Sequence, residues 1–217
     1  MKKNSILKNT FSTAYTLLLT TAVITFIEAM RTPNPRIRHI LNLETCISCV
    51  ACYFYGVFIT KIDKNNIDWK DITETRYIDW SITTPMMLLA LCLVLSMNTN
   101  TVIHFKTIFF IVILNYLMLL MGYLGEINII SRFNGMIFGF IPFIFMYYMI
   151  YVNYVKPKYI HANYIIFCIY LIVWSLYGVV YLFDEETKNA ITNILDLTAK
   201  CVVGLGLWVY YTKIVEL

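Results

Sequence analysis

Seven apolar stretches govern what this chain can become. They fall at about 10–30, 37–60, 76–97, 101–124, 131–153, 159–183 and 189–214, each bounded by charged or turn-forming residues. A helix crosses the hydrocarbon core of a bilayer with about 20 mainly apolar residues, so every stretch is of spanning length. Lipid offers no partner to an unpaired backbone group, which leaves helices and closed barrels as spanning structures. These stretches are too long and too uniformly apolar for barrel strands, which alternate over about ten residues. The expectation is an all-α membrane protein, a bundle of seven transmembrane helices. Of the 217 residues 59% are hydrophobic and 14% charged, against roughly half and a quarter in soluble domains. Seven spans use nearly the whole chain, so one multi-pass domain over 1–217, embedded in the lipid bilayer, is expected.

The connections are short, Thr32-Pro33-Asn34-Pro35, Asn98-Thr99-Asn100 and Lys156-Pro157-Lys158 among them, and only 61–75 is longer. With the N-terminus outside and the C-terminus inside, the inner connections carry Arg31, Arg36, Arg38, Lys156 and Lys158, and the inner tail adds Lys213. The outer connections mix Lys61, Lys64, Lys70 and Lys188 with Asp63, Asp68, Asp71, Glu74, Asp184, Glu185 and Glu186. That distribution follows the positive-inside tendency, although Lys2, Lys3 and Lys8 on the outer tail run against it. The stretch from Phe11 to Ala29 resembles a signal peptide, but it ends in Glu28, Arg31 and a Pro-Asn-Pro turn without a small-residue cleavage site, and reads as a retained first span. The net charge of +4 sits at the ends of apolar stretches and forms no dense tract, which argues against a nucleic-acid partner. Cys46, Cys49 and Cys52 have a spacing that suits a metal or cluster. They lie inside an apolar segment with no second pair, where Cys commonly packs as a small buried residue, so no metal is expected.

Ionisable groups deep in a span are costly and become functional candidates by default. The seventh stretch holds Asp196 and Lys200, four apart and on one helix face. The third holds Arg76, Tyr77, Asp79 and Trp80, followed by Thr83, Thr84 and Pro85. A mid-membrane lysine must be neutral, ion-paired or chemically modified, because an isolated ammonium there costs at least about 2.5–3.5 kcal/mol. Two carboxylates, one lysine and one arginine make an electrically balanced cluster, which on charge alone suits a structural salt bridge or a proton site. The sixth stretch adds Trp174, Tyr177 and Tyr181 at three- and four-residue spacing. Such a ring stripe is often packing, but it also forms the slot that a flat conjugated ligand needs.

These motifs resemble those of the microbial rhodopsins. Arg76-Tyr77-Ile78-Asp79-Trp80 with Thr83-Thr84-Pro85 looks like the family's R-Y-x-D-W…T-T-P segment, and Leu195-Asp196-Leu197-Thr198-Ala199-Lys200 like its L-D-x-[ST]-A-K segment. The sixth stretch is similar to W-S-x-Y-P-x-x-[WY], with Gly178 in place of the usual proline. Met118, Gly122 and Gly125 match ring-binding positions of the fourth helix, and Arg132-Phe133 resembles the start of the fifth. The resemblance implies all-trans retinal bound to Lys200 as a protonated Schiff base, with Asp79 and Asp196 as counterions and Asp79 as primary proton acceptor. Two carboxylates favour the charged form of such an imine. By the same resemblance Arg76 balances Asp196, Thr83 hydrogen-bonds Asp79, and Trp80, Trp174, Tyr177 and Tyr181 sandwich the polyene. Thr84, Met87, Met118, Gly122 and Phe138 border the cofactor, and Met87 gives no reason to expect strong red shifting.

The sequence departs from the outward proton pumps of that family in two places. Ala90 stands where they carry an inner carboxylic acid, and Lys188 where they carry an outer glutamate. Polar groups appear instead on the first, second and seventh stretches: Ser12, Tyr15, Thr16, Glu28, Glu44, Ser48, Thr192 and Asn193. Glu28 and Glu44 with Arg36 and Arg38 can form an interfacial salt-bridge cluster, or the inner gate of a cation path whose outer half is lined by Ser12 and Asn193. Short length, the Arg31–Arg36 turn, Glu44 and the missing inner acid resemble the group-one viral rhodopsins of giant algal viruses. That resemblance implies a virus-encoded light-gated channel for small cations (H+, Na+, K+) in a host-cell membrane, with a homo-oligomer as the family guess. A light-driven proton pump and a sensory photoreceptor with a separate partner are the alternatives. An enzyme is not expected, since no nucleotide loop, metal set or nucleophile–base pair is visible.

Overall fold

Polar caps and prolines, more than the apolar runs, decide where the helices start. The computed structural model describes residues 2–63 and 67–212, with side chains from Ile6 onward. Lys64 and Lys213 lie outside the described residues, as do the side chains of Lys2 and Lys3. The first four helices are α1 (Lys2–Arg31), α2 (Pro35–Ile62), α3 (Trp69–Thr99) and α4 (Phe105–Glu126). Helix α5 (Arg132–Ile150) runs on into a π turn, Tyr151–Val155, and is followed by α6 (His161–Val180). The last span is α7 (Glu185–Asp196), a π segment (Leu197–Val202) and α8 (Val203–Thr212). All seven spans are long and apolar enough to cross a bilayer.

Several helices begin earlier than the apolar stretches, because their first turns are polar and capped. The Asn34 side chain accepts from the Arg36 amide ahead of Pro35, Asp68 accepts from the Asp71 amide, and Asp184 accepts from Thr187. Each cap satisfies an N–H that the helix itself leaves unpaired. Two residues at loop positions, Asn100 (φ 56°) and Asn128 (φ 59°), take the left-handed conformation that asparagine tolerates.

By internal packing the chain forms two units, Met1–Asp79 with Asp184–Leu217, and Trp80–Phe183. In the first unit α1 and α2 pack as a hairpin, and the last span lies against α1. Its core is built from Leu7, Phe11, Ala14, Leu18, Ala51, Tyr55, Phe58 and Ile72. At one end Lys8 pairs with Asp63 at 2.8 Å, and Lys61 reaches both Asp71 and Thr75. This will be called the Lys8 end, and the α1–α2 turn the Arg31 end.

The second unit contains α4 and α5 as a hairpin, α6, and the part of α3 from Trp80 onward. Pro85 stands inside α3 and removes the N–H that would reach the Ser81 carbonyl. The Tyr116 hydroxyl of α4 donates to that carbonyl at 3.0 Å, which makes good the loss. Asn163 is fully buried, accepts from Asn98 at 2.7 Å and donates to the Leu95 carbonyl at 3.0 Å, tying α6 to α3. The outward faces remain apolar: Phe26 and Met30 in the first unit, Phe105, Ile144 and Tyr148 in the second. Exposed rows of large apolar side chains are what a lipid-facing surface requires.

Candidate functional site

Four ionisable side chains meet inside the first unit. Lys200 lies in the π segment Leu197–Val202 and is only 2% exposed. π turns inside helices are rare and frequently mark functional sites. The Lys200 Nζ donates to Asp79 Oδ2 at 3.0 Å and stands 3.6 Å from Asp196 Oδ2. The Arg76 Nη1 stands 3.5 Å from the same Asp196 oxygen. Two cations and two carboxylates balance, as burial demands.

The surrounding partners divide the two carboxylates. The Tyr55 hydroxyl of α2 lies 2.8 Å from Asp196 Oδ2 and 3.1 Å from Asn193 Oδ1, and its single hydrogen goes to the carboxylate, the shorter and charge-assisted contact. The Arg76 Nη2 donates to Asn189 and Asn193 at 2.9 and 3.0 Å. The Asn193 amide in turn donates to Thr10 of α1 at 3.0 Å. Asp196 is thus held by Tyr55 and Arg76, and Asp79 is the carboxylate hydrogen-bonded to Lys200.

Towards the Arg31 end, polar groups continue on α1, α2 and α8. Glu44 is 2% exposed, and its Oε1 has no hydrogen-bond partner among the described residues. One turn along α2, the buried Ser48 hydroxyl also lacks one. Gly204 leaves room for this carboxylate: a Cβ there would lie 3.1 Å from Glu44 Oε2 and 3.3 Å from the Thr21 methyl. Buried Thr25 closes the row through a 2.9 Å bond to Thr45.

The second unit supplies rings and amides. Trp80 and Tyr177 meet edge to face at 5.6 Å, Trp174 is buried against Tyr147 and Tyr170, and Met87 is buried. Thr84 accepts from the buried Asn115 at 2.8 Å. The Tyr181 hydroxyl donates to the Gly122 carbonyl at 2.8 Å and lies over Gly125 and Gly135, where any Cβ would collide with it or crowd it. At Gly178 a Cβ would fall 2.5 Å from the Phe140 ring, so that ring fills the space beside the glycine.

Lys200, Asp79, Asp196 and Arg76, paired by charge in the sequence, thus lie together, Asn193 joins them through Arg76 and Tyr55, and Thr83 is fully buried on α3. Others do not join them. Ser12 is exposed on α1, and the residue that reaches Asn193 is Thr10. Of the two alternatives for Glu28, Glu44, Arg36 and Arg38, the salt-bridge cluster is absent among the described residues: Glu28 and Arg36 form no ion pair, Arg38 donates to the Thr32 carbonyl, and Glu44 is buried without an ion-pair partner. Phe138 lies on the exposed side of α5, 47% exposed, while Gly139, Phe143 and Met146 of that helix are buried. Tyr55, Asn189 and Thr10 were not singled out from sequence. The buried stripe Leu7, Phe11, Ala14, Leu18 is readable at helical spacing and would have placed Thr10 at its edge and Ser12 away from it.

The family model described as bacteriorhodopsin-like protein matches residues 6–214. A crystal structure of the viral rhodopsin OLPVRII superposes with a TM-score of 0.91 at 40% identity, covering 97% of this chain and 99% of that one. A crystal structure of blue light-absorbing proteorhodopsin from Med12 gives 0.78 at 22% identity, covering 95% and 97%. The green-light absorbing proteorhodopsin of Gamma-proteobacterium EBAC31A08 is 26% identical over 211 residues, 88% of this chain and 80% of that protein. Its sequence, its seven apolar helices and these matches place the chain in the bacteriorhodopsin-like family of multi-pass, retinal-binding membrane proteins.

Proposed function

We propose that this chain is a light-gated cation channel that carries all-trans retinal as an imine on Lys200. The first unit fits that group. The Lys200 Nζ occupies the place of the imine nitrogen, with one carboxylate oxygen at 3.0 Å and a second at 3.6 Å to stabilise a positive charge there. Bound retinal supplies light absorption and isomerisation, and the protein supplies position and field. Asp79, at hydrogen-bond distance, is the acceptor for the proton of the Lys200 nitrogen. Asp196 is held instead by the Tyr55 hydroxyl, which donates to it, and by Arg76 beside it. Trp80, Trp174, Tyr177 and Tyr181, with Thr84, Met87, Met118 and Gly122, are the residues of the second unit proposed to contact the polyene and its ring.

The observation that carries the channel reading is a file of polar side chains within the first unit, buried except for the half-buried Thr10 at its end. It runs from Thr10, Asn189 and Asn193 through Arg76 and Asp196 to Lys200, and resumes at Ser48 and Glu44. A polar lining with an acidic member suits cation passage. With the N-terminus outside, Asn193 lines the outer half and Glu44 the inner gate. A second reading, an outward proton pump, is favoured by the direct Lys200–Asp79 hydrogen bond, with Asp79 taking a proton and Glu44 returning one in place of the acid that position 90 lacks. The 40% identical viral rhodopsin supports a viral origin and a host-cell membrane. Voltage-clamped cells expressing the chain with retinal separate the two readings. A photocurrent that reverses with the cation gradient, and changes in Glu44→Gln, is the channel result. A current outward at every accessible potential overturns it in favour of the pump.

A further inference from the structure

Arg76 is 4% exposed, yet its Nη1 meets Asp196 only at 3.5 Å, outside hydrogen-bond geometry, and its Nε has no hydrogen-bond partner among the described residues. Buried guanidinium donors left this way are expensive. What surrounds them instead is a box of rings. The guanidinium carbon lies 4.8 Å from the ring centroid of Phe58, 5.6 Å from that of Phe11 and 5.9 Å from that of Tyr55. Ring faces within about 6 Å attract such a cation, the more so away from water. The rings also brace one another: Phe58 meets Tyr55 edge to face at 5.5 Å and Phe11 at 5.5 Å. Phe11 comes from α1, Tyr55 and Phe58 from α2, and the acceptors Asn189, Asn193 and Asp196 from α7.

We propose that Phe58 is a positioning residue that acts through Arg76: its ring holds the guanidinium beside Asp196, and so keeps Asp79 as the carboxylate that receives the Lys200 proton. This rests on the retinal-binding reading above. Tyr55 also touches the charge group directly, through its hydroxyl on Asp196, and Phe11 is farther away. Phe58 has no polar atom, so its influence passes only through its ring. The charged and titratable groups facing this place are Tyr55 from α2, Arg76 and Asp79 from α3, and Asp196 with Lys200 from the last span. From α1 come only the Phe11 ring and, through Asn193, Thr10. Withdrawing the Arg76 cation from this group makes a carboxylate easier to protonate.

The test uses the full chain reconstituted with retinal and follows, in the dark, the pH at which Asp79 takes up a proton, read as the acid-induced change in visible absorption. Phe58→Leu is expected to raise that midpoint by about one pH unit. Phe58→Trp is expected to restore it, and Arg76→Gln to raise it at least as far. Combining Phe58→Leu with Arg76→Gln should add nothing to Arg76→Gln alone, since both act through one cation. Phe58→Met serves as the second aliphatic variant where the leucine variant does not assemble. An unchanged midpoint in the aliphatic variants overturns the proposal, and so does a shift that adds in full to that of Arg76→Gln. A pigment that forms and titrates in the unaltered chain upholds the retinal reading whichever way Phe58 falls, and no pigment in that chain overturns both.

Discussion

The two units bury different chemistry. Met1–Asp79 with Asp184–Leu217 holds Lys200, Arg76, Asp79 and Asp196 in one connected group, whereas Trp80–Phe183 buries mainly amides, hydroxyls and rings, its Arg132–Glu126 pair at 3.0 Å leaving Arg132 a third exposed. The first sets a field and the second a shape. Charges in a low-dielectric interior are stable only as a set, so each member of the first group depends on the others. Rings and glycines act through volume, and a neighbour can yield to accommodate a change.

Thermal unfolding is where this contrast can be broken. Asp196→Ala leaves Arg76 and Lys200 with one carboxylate between them and orphans the Tyr55 hydroxyl. It is expected to cost about 3–5 kcal/mol, a fall in Tm of roughly 10 °C, with Asp196→Asn less severe. In the second unit Tyr116→Phe removes the donor that serves the Ser81 carbonyl beside Pro85. The expected cost is about 1–3 kcal/mol, that of one backbone acceptor left unsatisfied on a lipid-facing side without water. Gly178→Ala gains helix propensity of about 1 kcal/mol but drives a methyl into the Phe140 ring, 2.5 Å away. That ring is the far end of a side chain, so the net change in Tm is expected to stay within about 4 °C. If Gly178→Ala destabilises the protein as much as Asp196→Ala, the contrast between field and shape fails.

Legibility in the sequence follows the same division. Lys200 and Asp196 lie four apart on one span, and Arg76 and Asp79 three apart on another, so their partnership is visible before any folding is known. The seven spans were equally plain, because lipid leaves so few alternatives. What the sequence concealed depends on other helices. Tyr55 and Phe58 look like ordinary members of an apolar segment until α3 and the last span bring Arg76 and Asp196 to them. The π segment around Lys200 has no local signature in Leu197-Thr198-Ala199-Lys200-Cys201-Val202. Nearness to Arg36 and Arg38 in sequence leaves Glu44 equally open to a salt-bridge cluster or an ion path, and only the fold, which turns its side chain inward towards Gly204 and Thr21, separates the two.

The most direct test of the account is to fix the chromophore where it is bound. Reconstituting the chain with retinal, reducing the imine with borohydride and mapping the modified peptide by mass spectrometry should place the added mass on Lys200, and Lys200→Ala should show neither the adduct nor visible absorption. An adduct on another lysine, or a pigment that survives in Lys200→Ala at normal yield, would contradict it.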